Sequence, residues 1–186
     1  MDKKHLKIQR PNISNLHEIQ NLFSITIQNN FHQEKISDPT GILKEDLVND
    51  LVKTLKKDFE SQGNNEFHLI ARNSEMIIGV IAFGQPNQII KDHIPIELLN
   101  TPEIKSVYVH PEFQNTGIGN LLLKNILKRL AEKGYKEFCL DSGYINAQRY
   151  WKRKFGTPIK ILENYWAPNS HHMIWHVKFE ELKGFS

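Results

Sequence analysis

The sequence predicts an α/β domain, and three observations carry that reading. Short β-branched runs alternate with stretches whose apolar residues recur at helical spacing. One such run, residues 102–110, leads through a proline- and glycine-bearing turn directly into an amphipathic helix. At 186 residues, without internal repeats or low-complexity segments, the chain has the length of one domain able to bury a core, and residues 1–186 are expected to form it.

Each element has its own warrant. Residues 6–10 alternate as a first strand that Pro11 ends. Ser14 is the expected N-cap of a helix in which Leu16, Ile19, Leu22, Phe23 and Ile27 share a face. Residues 38–41 read as a turn, because Asp38 precedes a proline and is pushed toward extended backbone. A second helix is expected over about residues 44–59, with Leu47, Leu51, Leu55 and Phe59 as its apolar face. Residues 67–72 and 76–83 flank the turn chemistry of Asn73, Ser74 and Glu75 and read as a hairpin, its second strand apolar throughout. Residues 85–101, with Pro86 and Pro95, read as a long connection serving as a substrate-side lid or edge. In the central helix Ile118, Leu121, Leu122, Ile126, Leu127 and Leu130 make an apolar face, and Gly134 suits the position just past its end. Residues 137–141 read as a buried strand, 146–154 as a helix, and 159–163 and 173–179 as two closing strands.

Composition narrows the function classes. The 24 basic residues against 21 acidic ones give a charge of +3, too nearly balanced for nucleic acid as the main partner. The basic residues Lys124, Lys128, Arg129, Lys133, Lys136 and Lys152, Arg153, Lys154 do not interleave with a run of exposed aromatics. No stretch approaches a membrane span, and the charged start lacks the apolar core of a signal peptide, so no membrane partner is expected. The single cysteine, Cys139, rules out an intramolecular disulfide and fits a reducing compartment, so the expected location is cytoplasmic. Cys139 itself reads as a small core residue. Near the end, His171, His172 and His176 invite a metal reading, but adjacent residues of a strand face opposite sides and no acidic residue or cysteine completes a set. No metal is expected, and these histidines read as surface or substrate-edge residues.

The most informative stretch is the turn itself. Gly117 and Gly119 allow the left-handed or close-approach backbone in which successive N–H groups converge, and the start of the following helix adds positive potential. A pyrophosphate fits such a site. Gln114, Asn115, Thr116, Gly117, Ile118 and Gly119 spell QxxGxG after a strand ending in Val109, His110 and Pro111, which resembles the acetyl-coenzyme A motif of the GNAT superfamily of N-acetyltransferases. The resemblance implies the GNAT fold, a single mixed central sheet of about six to seven strands flanked by about four helices. It also implies acetyl-CoA as cosubstrate, with no metal.

Acetyl transfer from a thioester to an amine needs the donor held in line, a neutral amine and a stabilised oxyanion. By the resemblance, residues 114–119 hold the pyrophosphate through backbone N–H groups. Val107 and Val109 lie on a strand that splays from its neighbour and pairs with the pantetheine arm, and a backbone N–H near Val109 is the oxyanion donor. Glu103, at the start of that strand, is the first candidate for the base; Tyr108 and His110 are weaker ones. In relatives the helix after the fifth strand carries a tyrosine that protonates the departing thiolate. Here Asn146 and Ala147 fit that pattern, but Trp151 falls where the tyrosine is expected and Tyr150 precedes it. An indole N–H is no useful acid. Three routes stay open: Tyr150 after a slip of one residue, water, or a weak site. Asn146 and Trp151 are kept as coenzyme contacts.

The resemblance implies an amine of a small molecule or peptide as acceptor, which the sequence does not identify further. Glu34, Asp38, Glu45 and Asp46 make a cationic acceptor conceivable or form a solvated face. The closing strands offer a surface on which two copies could pair as a homodimer. The alternative function is a non-catalytic acyl-CoA-binding sensor or interaction module on the same fold, motivated by Trp151.

Overall fold

The computed structural model describes residues 6–182. Seven strands and five α-helices follow one another as β1 (Lys7–Gln9), α1 (Leu16–Glu34), α2 (Ile42–Ser61), β2 (Phe67–Arg72), β3 (Ile77–Gly84), α3 (Gln88–His93), β4 (Glu103–Val109), α4 (Ile118–Glu132), β5 (Glu137–Ser142), α5 (Ile145–Phe155), β6 (Lys160–Ala167) and β7 (Ser170–Lys178). The strands form one mixed sheet in the order β1-β2-β3-β4-β5-β7-β6, with β4 and β5 parallel and the pairs β1–β2, β2–β3, β5–β7 and β7–β6 antiparallel. This is the α/β class the sequence predicts. The expected elements are present, and α3 adds a short helix within residues 85–101. Among the described residues no helix is long and apolar enough to cross a membrane.

The chain divides into two compact units. Of the described residues, the first holds those up to Phe83 together with Ser106–Arg129; the second holds Gly84–Lys105 and those from Leu130 on.

In the first unit, α1 buries Ile19, Leu22, Phe23, Ile27 and Phe31. Its start differs from expectation. Asn12, not Ser14, supplies the capping side chain, and it caps the 3-10 turn Ile13–Asn15 that leads into α1: its side chain accepts the Ser14 N–H at 3.0 Å while Asn15 Oδ1 accepts the Asn12 N–H at 3.0 Å, a capping box. The buried stripe of α2 is Val48, Val52, Leu55 and Asp58; of the expected face Leu55 is buried and Leu47, Leu51 and Phe59 are half-buried beside that stripe. Asp58 is the polar member of that stripe. It is fully buried, pairs with Arg10, and accepts from the His68 backbone N–H at 2.6 Å and the His68 ring at 3.0 Å. Asp38 is also committed, since its carboxylate accepts the Leu43 and Lys44 N–H groups at 3.3 and 3.0 Å and so ties down the start of α2. All eight residues of β3 are buried. Gly79 within it lies so close to α4 that a Cβ would sit 2.9 Å from Leu122 Cδ1 and 3.2 Å from Ile118 Cγ2.

In the second unit, β5 presents opposite faces by simple alternation. Phe138 packs edge-on to Phe155 of α5, with ring centroids 5.4 Å apart, and Trp151 stacks on Phe155 at 5.5 Å. Cys139, on the other face, joins Ile174, Ile90 and Ile94 in a cluster under α3. Burial drives the Cys139 thiol far above its ordinary range, which fits the core role expected of it.

Candidate active site

The turn of the first unit is built as its glycines require. Asn115 and Gly117 take φ of +60° and +94°, so two left-handed residues within one tight turn redirect the chain from β4 into α4. Gln114 Nε2 donates to the Val109 carbonyl at 3.1 Å, and the Thr116 hydroxyl donates to the Phe113 carbonyl at 2.6 Å. The Leu121 N–H donates to the Gly117 carbonyl at 3.0 Å, which opens α4 at the turn. The first amides of a helix have no intrahelical acceptor, so α4 presents donors and the positive end of its dipole here. Asn115, Thr116 and Gly117 are exposed, and a Cβ built on Gly117 meets nothing within 4 Å. On Gly119 a Cβ touches only Val109 Cγ2, at 3.8 Å. The cradle is therefore open, and its residues suit a phosphate group bound by backbone. Val107 and Val109 are half-buried, and Ile118 is buried. Tyr108 meets Phe23 edge-on at 5.4 Å, and His110 meets Phe113 at 5.7 Å.

In β4 the parallel register with β5 consists of Glu103 opposite Cys139. Ser106 then takes φ of +53°, an irregularity inside the strand.

The second unit holds Glu103 in a network that the sequence does not announce. Its side chain is 3 % exposed. Oε2 accepts the Asn87 backbone N–H at 2.7 Å and lies 3.1 Å from Lys105 Nζ, and Oε1 accepts from Asn87 Nδ2 at 3.0 Å. The same Nδ2 donates to Asp141 Oδ2 at 2.7 Å, while Asn87 Oδ1 caps α3 by accepting the Ile90 N–H at 2.9 Å. Burial raises the Glu103 carboxyl to about 7; the Asp141 charge adds to the rise, and Lys105 with the Asn87 N–H opposes it.

The closing histidines depart from the surface reading. His172 is buried and its Nε2 lies 3.0 Å from Asp141 Oδ2; His176 Nε2 lies 3.0 Å from Glu137 Oε2. Both pairs follow from register. Asp141 opposes Ile174 and Cys139 opposes His176, so alternate residues of β7 share a face with Glu137, Cys139 and Asp141. Among the described residues no group of three or more His, Cys, Asp or Glu side chains could hold a metal ion.

On α5, Trp151 is 5 % exposed and packed on Phe155, whereas Tyr150 is only half-buried. Burial raises the Tyr150 phenol above its ordinary value, partly offset by Arg153, so it stays protonated at neutral pH. Asn146 is exposed on the first turn of the same helix. Residue types at helical spacing could not show which of the two adjacent rings faces inward; Asn87 and Asp141 were missed because their partners lie far away in sequence. A polar residue after Pro86, just ahead of Ile89 and Ile90, was the available signal for a cap.

No curated protein matches the chain. Solved structures do resemble it in fold. The PaiA N-acetyltransferase of Thermoplasma acidophilum, in complex with coenzyme A, is 16 % identical over 92 % of this chain and 99 % of its own, with a TM-score of 0.66. YncA of Salmonella typhimurium, solved with its cofactor acetyl-CoA, is 14 % identical over 98 % and 99 %, with a TM-score of 0.67. The ribosomal-protein-S18-alanine N-acetyltransferase of Escherichia coli is 13 % identical over 93 % of each chain, with a TM-score of 0.60. The acetyltransferase (GNAT) family profile matches residues 30–157, which takes in both the QxxGxG turn and the Asn87–Glu103–Asp141 network, and by that match the chain belongs to the GNAT acetyltransferases.

Proposed function

We propose that the chain transfers acetyl from acetyl-CoA to a primary amine of a small molecule or peptide, by direct attack in a ternary complex. The observation that carries this reading is Glu103, a buried carboxylate raised to about 7 and therefore poised to exchange a proton with an ammonium near neutral pH.

Acetyl-CoA supplies the activated acyl group. Residues 114–119 hold its pyrophosphate through backbone N–H groups, with Val107, Val109 and Asn146 as further contacts on family grounds, while the buried Trp151 is left to packing on Phe155. Glu103 accepts the amine's proton, directly or through water. The Val109 N–H stabilises the oxyanion, and the Tyr150 hydroxyl protonates the leaving thiolate. Tyr150 fits that last role better than Trp151, because the phenol is half-exposed and protonated while the indole is committed to the core. With Trp151 explained by packing, the alternative of a non-catalytic acyl-CoA-binding module loses its motive.

Calorimetric titration with acetyl-CoA followed by a free-thiol assay over an amine panel tests the reading. Micromolar binding that Gly117→Val abolishes, with turnover of at least one amine, is the expected result. Tyr150→Phe should lower kcat more than acetyl-CoA affinity; an unchanged kcat would remove Tyr150 as the acid. Binding with no turnover of any amine would restore the non-catalytic alternative.

A further inference from the structure

Trp166 is the exposed tryptophan of the three, at 57 % against 5 % for Trp151 and 0 % for Trp175. It is nevertheless held in place. Its Nε1–H donates to His172 Nδ1 at 3.2 Å, and a Cβ on Gly143 would fall 2.6 Å from that indole nitrogen, so the chain keeps a residue without a side chain where the ring lies down. Tyr165 stands edge-on to Trp166 at 4.9 Å and tilts against His172 at 5.6 Å, and His93 closes the rim 6.3 Å from Tyr165.

The indole N–H can only donate, so His172 Nδ1 accepts and the proton of the neutral ring sits on Nε2. That nitrogen is buried within a residue 4 % exposed, 3.0 Å from Asp141 Oδ2 but without an aligned hydrogen bond. Asn87 already occupies Oδ2 at 2.7 Å. Oδ1 of the same carboxylate, on a side chain 15 % exposed, remains for something else. A carboxylate oxygen thus lies one imidazole away from a fixed aromatic face. Glu103 and Asp141 both accept from Asn87, and Lys105 pairs with Glu103, so an ammonium on Asp141 would give the second carboxylate a cation as well.

We propose that Asp141, His172 and Trp166 form the acceptor subsite and that it takes an arylalkylamine, the ammonium on Asp141 Oδ1 and the aryl ring stacked on Trp166. This rests on the amine-transfer reading above. His172 acts as a positioning residue that sets the distance between ring and carboxylate.

The test uses the full chain at saturating acetyl-CoA with phenethylamine, butylamine and spermidine as acceptors. Phenethylamine should show a KM about tenfold below butylamine. Trp166→Ala should erase that ratio by raising the phenethylamine KM with kcat little changed, Trp166→Phe should restore part of it, and Asp141→Asn should raise KM for both amines. A ratio untouched by Trp166→Ala, or a preference for butylamine or spermidine, would overturn the proposal. So would a change in gel-filtration mass on Trp166→Ala with amine preference intact, which would assign the indole to an interface between copies. Binding is read separately from turnover by tryptophan fluorescence, since Trp166 is the exposed indole. Quenching by phenethylammonium, absent with 2-phenylethanol and lost in Asp141→Asn, would sustain the subsite even if no amine were acetylated. Absence of quenching would sink the subsite while leaving turnover of other amines to support acetyl transfer.

Discussion

Gly117 and Gly79 are needed for different reasons, and the difference is measurable. At Gly117 there is space for a side chain but φ is +94°, so Gly117→Ala should cost ~1 to 2 kcal/mol of backbone strain and distort the phosphate cradle. At Gly79 the backbone is ordinary but the space is taken, so Gly79→Ala must push Leu122 or Ile118 aside at a cost of ~1 to 3 kcal/mol. Denaturant melts should show both losses, and acetyl-CoA titration should show the larger affinity defect for Gly117→Ala. Glu103 gives the pH dependence. As a base it must be ionised, so kcat/KM should climb about tenfold per unit below about 7 and level off above, and Glu103→Gln should lose that limb. Stability runs the opposite way. An unfolded glutamate ionises near 4.5 and the folded one near 7, so the folded chain holds the proton more tightly and stability falls as pH rises through that window.

Among the elements, α3 shows what the sequence could and could not reveal. It has six residues, too few for a helical period to declare itself, and its stability comes from Asn87 and from Ile90 in the core. Strong periods were legible: α4 and the β2–β3 hairpin stand close to where apolar spacing puts them. On α2 the apolar spacing finds Leu55 and its half-buried neighbours but not the buried Asp58, whose partners Arg10 and His68 lie outside the helix. In the same way the glycine motif was readable from local order, whereas the Asn87–Glu103–Asp141–His172 cluster joins α3, β4, β5 and β7 and exists only once the chain is folded. Asn87 tests that cluster as a unit. Asn87→Ala removes a cap and two donors, and should cost ~1 to 3 kcal/mol while moving the pH limb. Asn87→Asp keeps a capping oxygen but places a third negative charge beside Glu103, so the limb should move upward. A limb that stays put in both variants would separate Asn87 from the base.

For the molecule as a whole, the consequential feature is that neither unit is a continuous stretch of chain. The first is completed only by Ser106–Arg129, which brings α4 onto Gly79 of β3. A fragment ending at Phe83 therefore lacks the helix that covers its central strand, and should give no cooperative melt where the full chain does. The same interleaving bears on biosynthesis. At ~5 to 20 residues per second a ribosome needs some seconds to pass from residue 84 to residue 129. Throughout that interval IIGVIAFG, an uncharged and strongly β-forming octet, waits for its cover. The nascent chain is then a natural client for a holdase chaperone, and yield on expression should respond to translation speed between those two points.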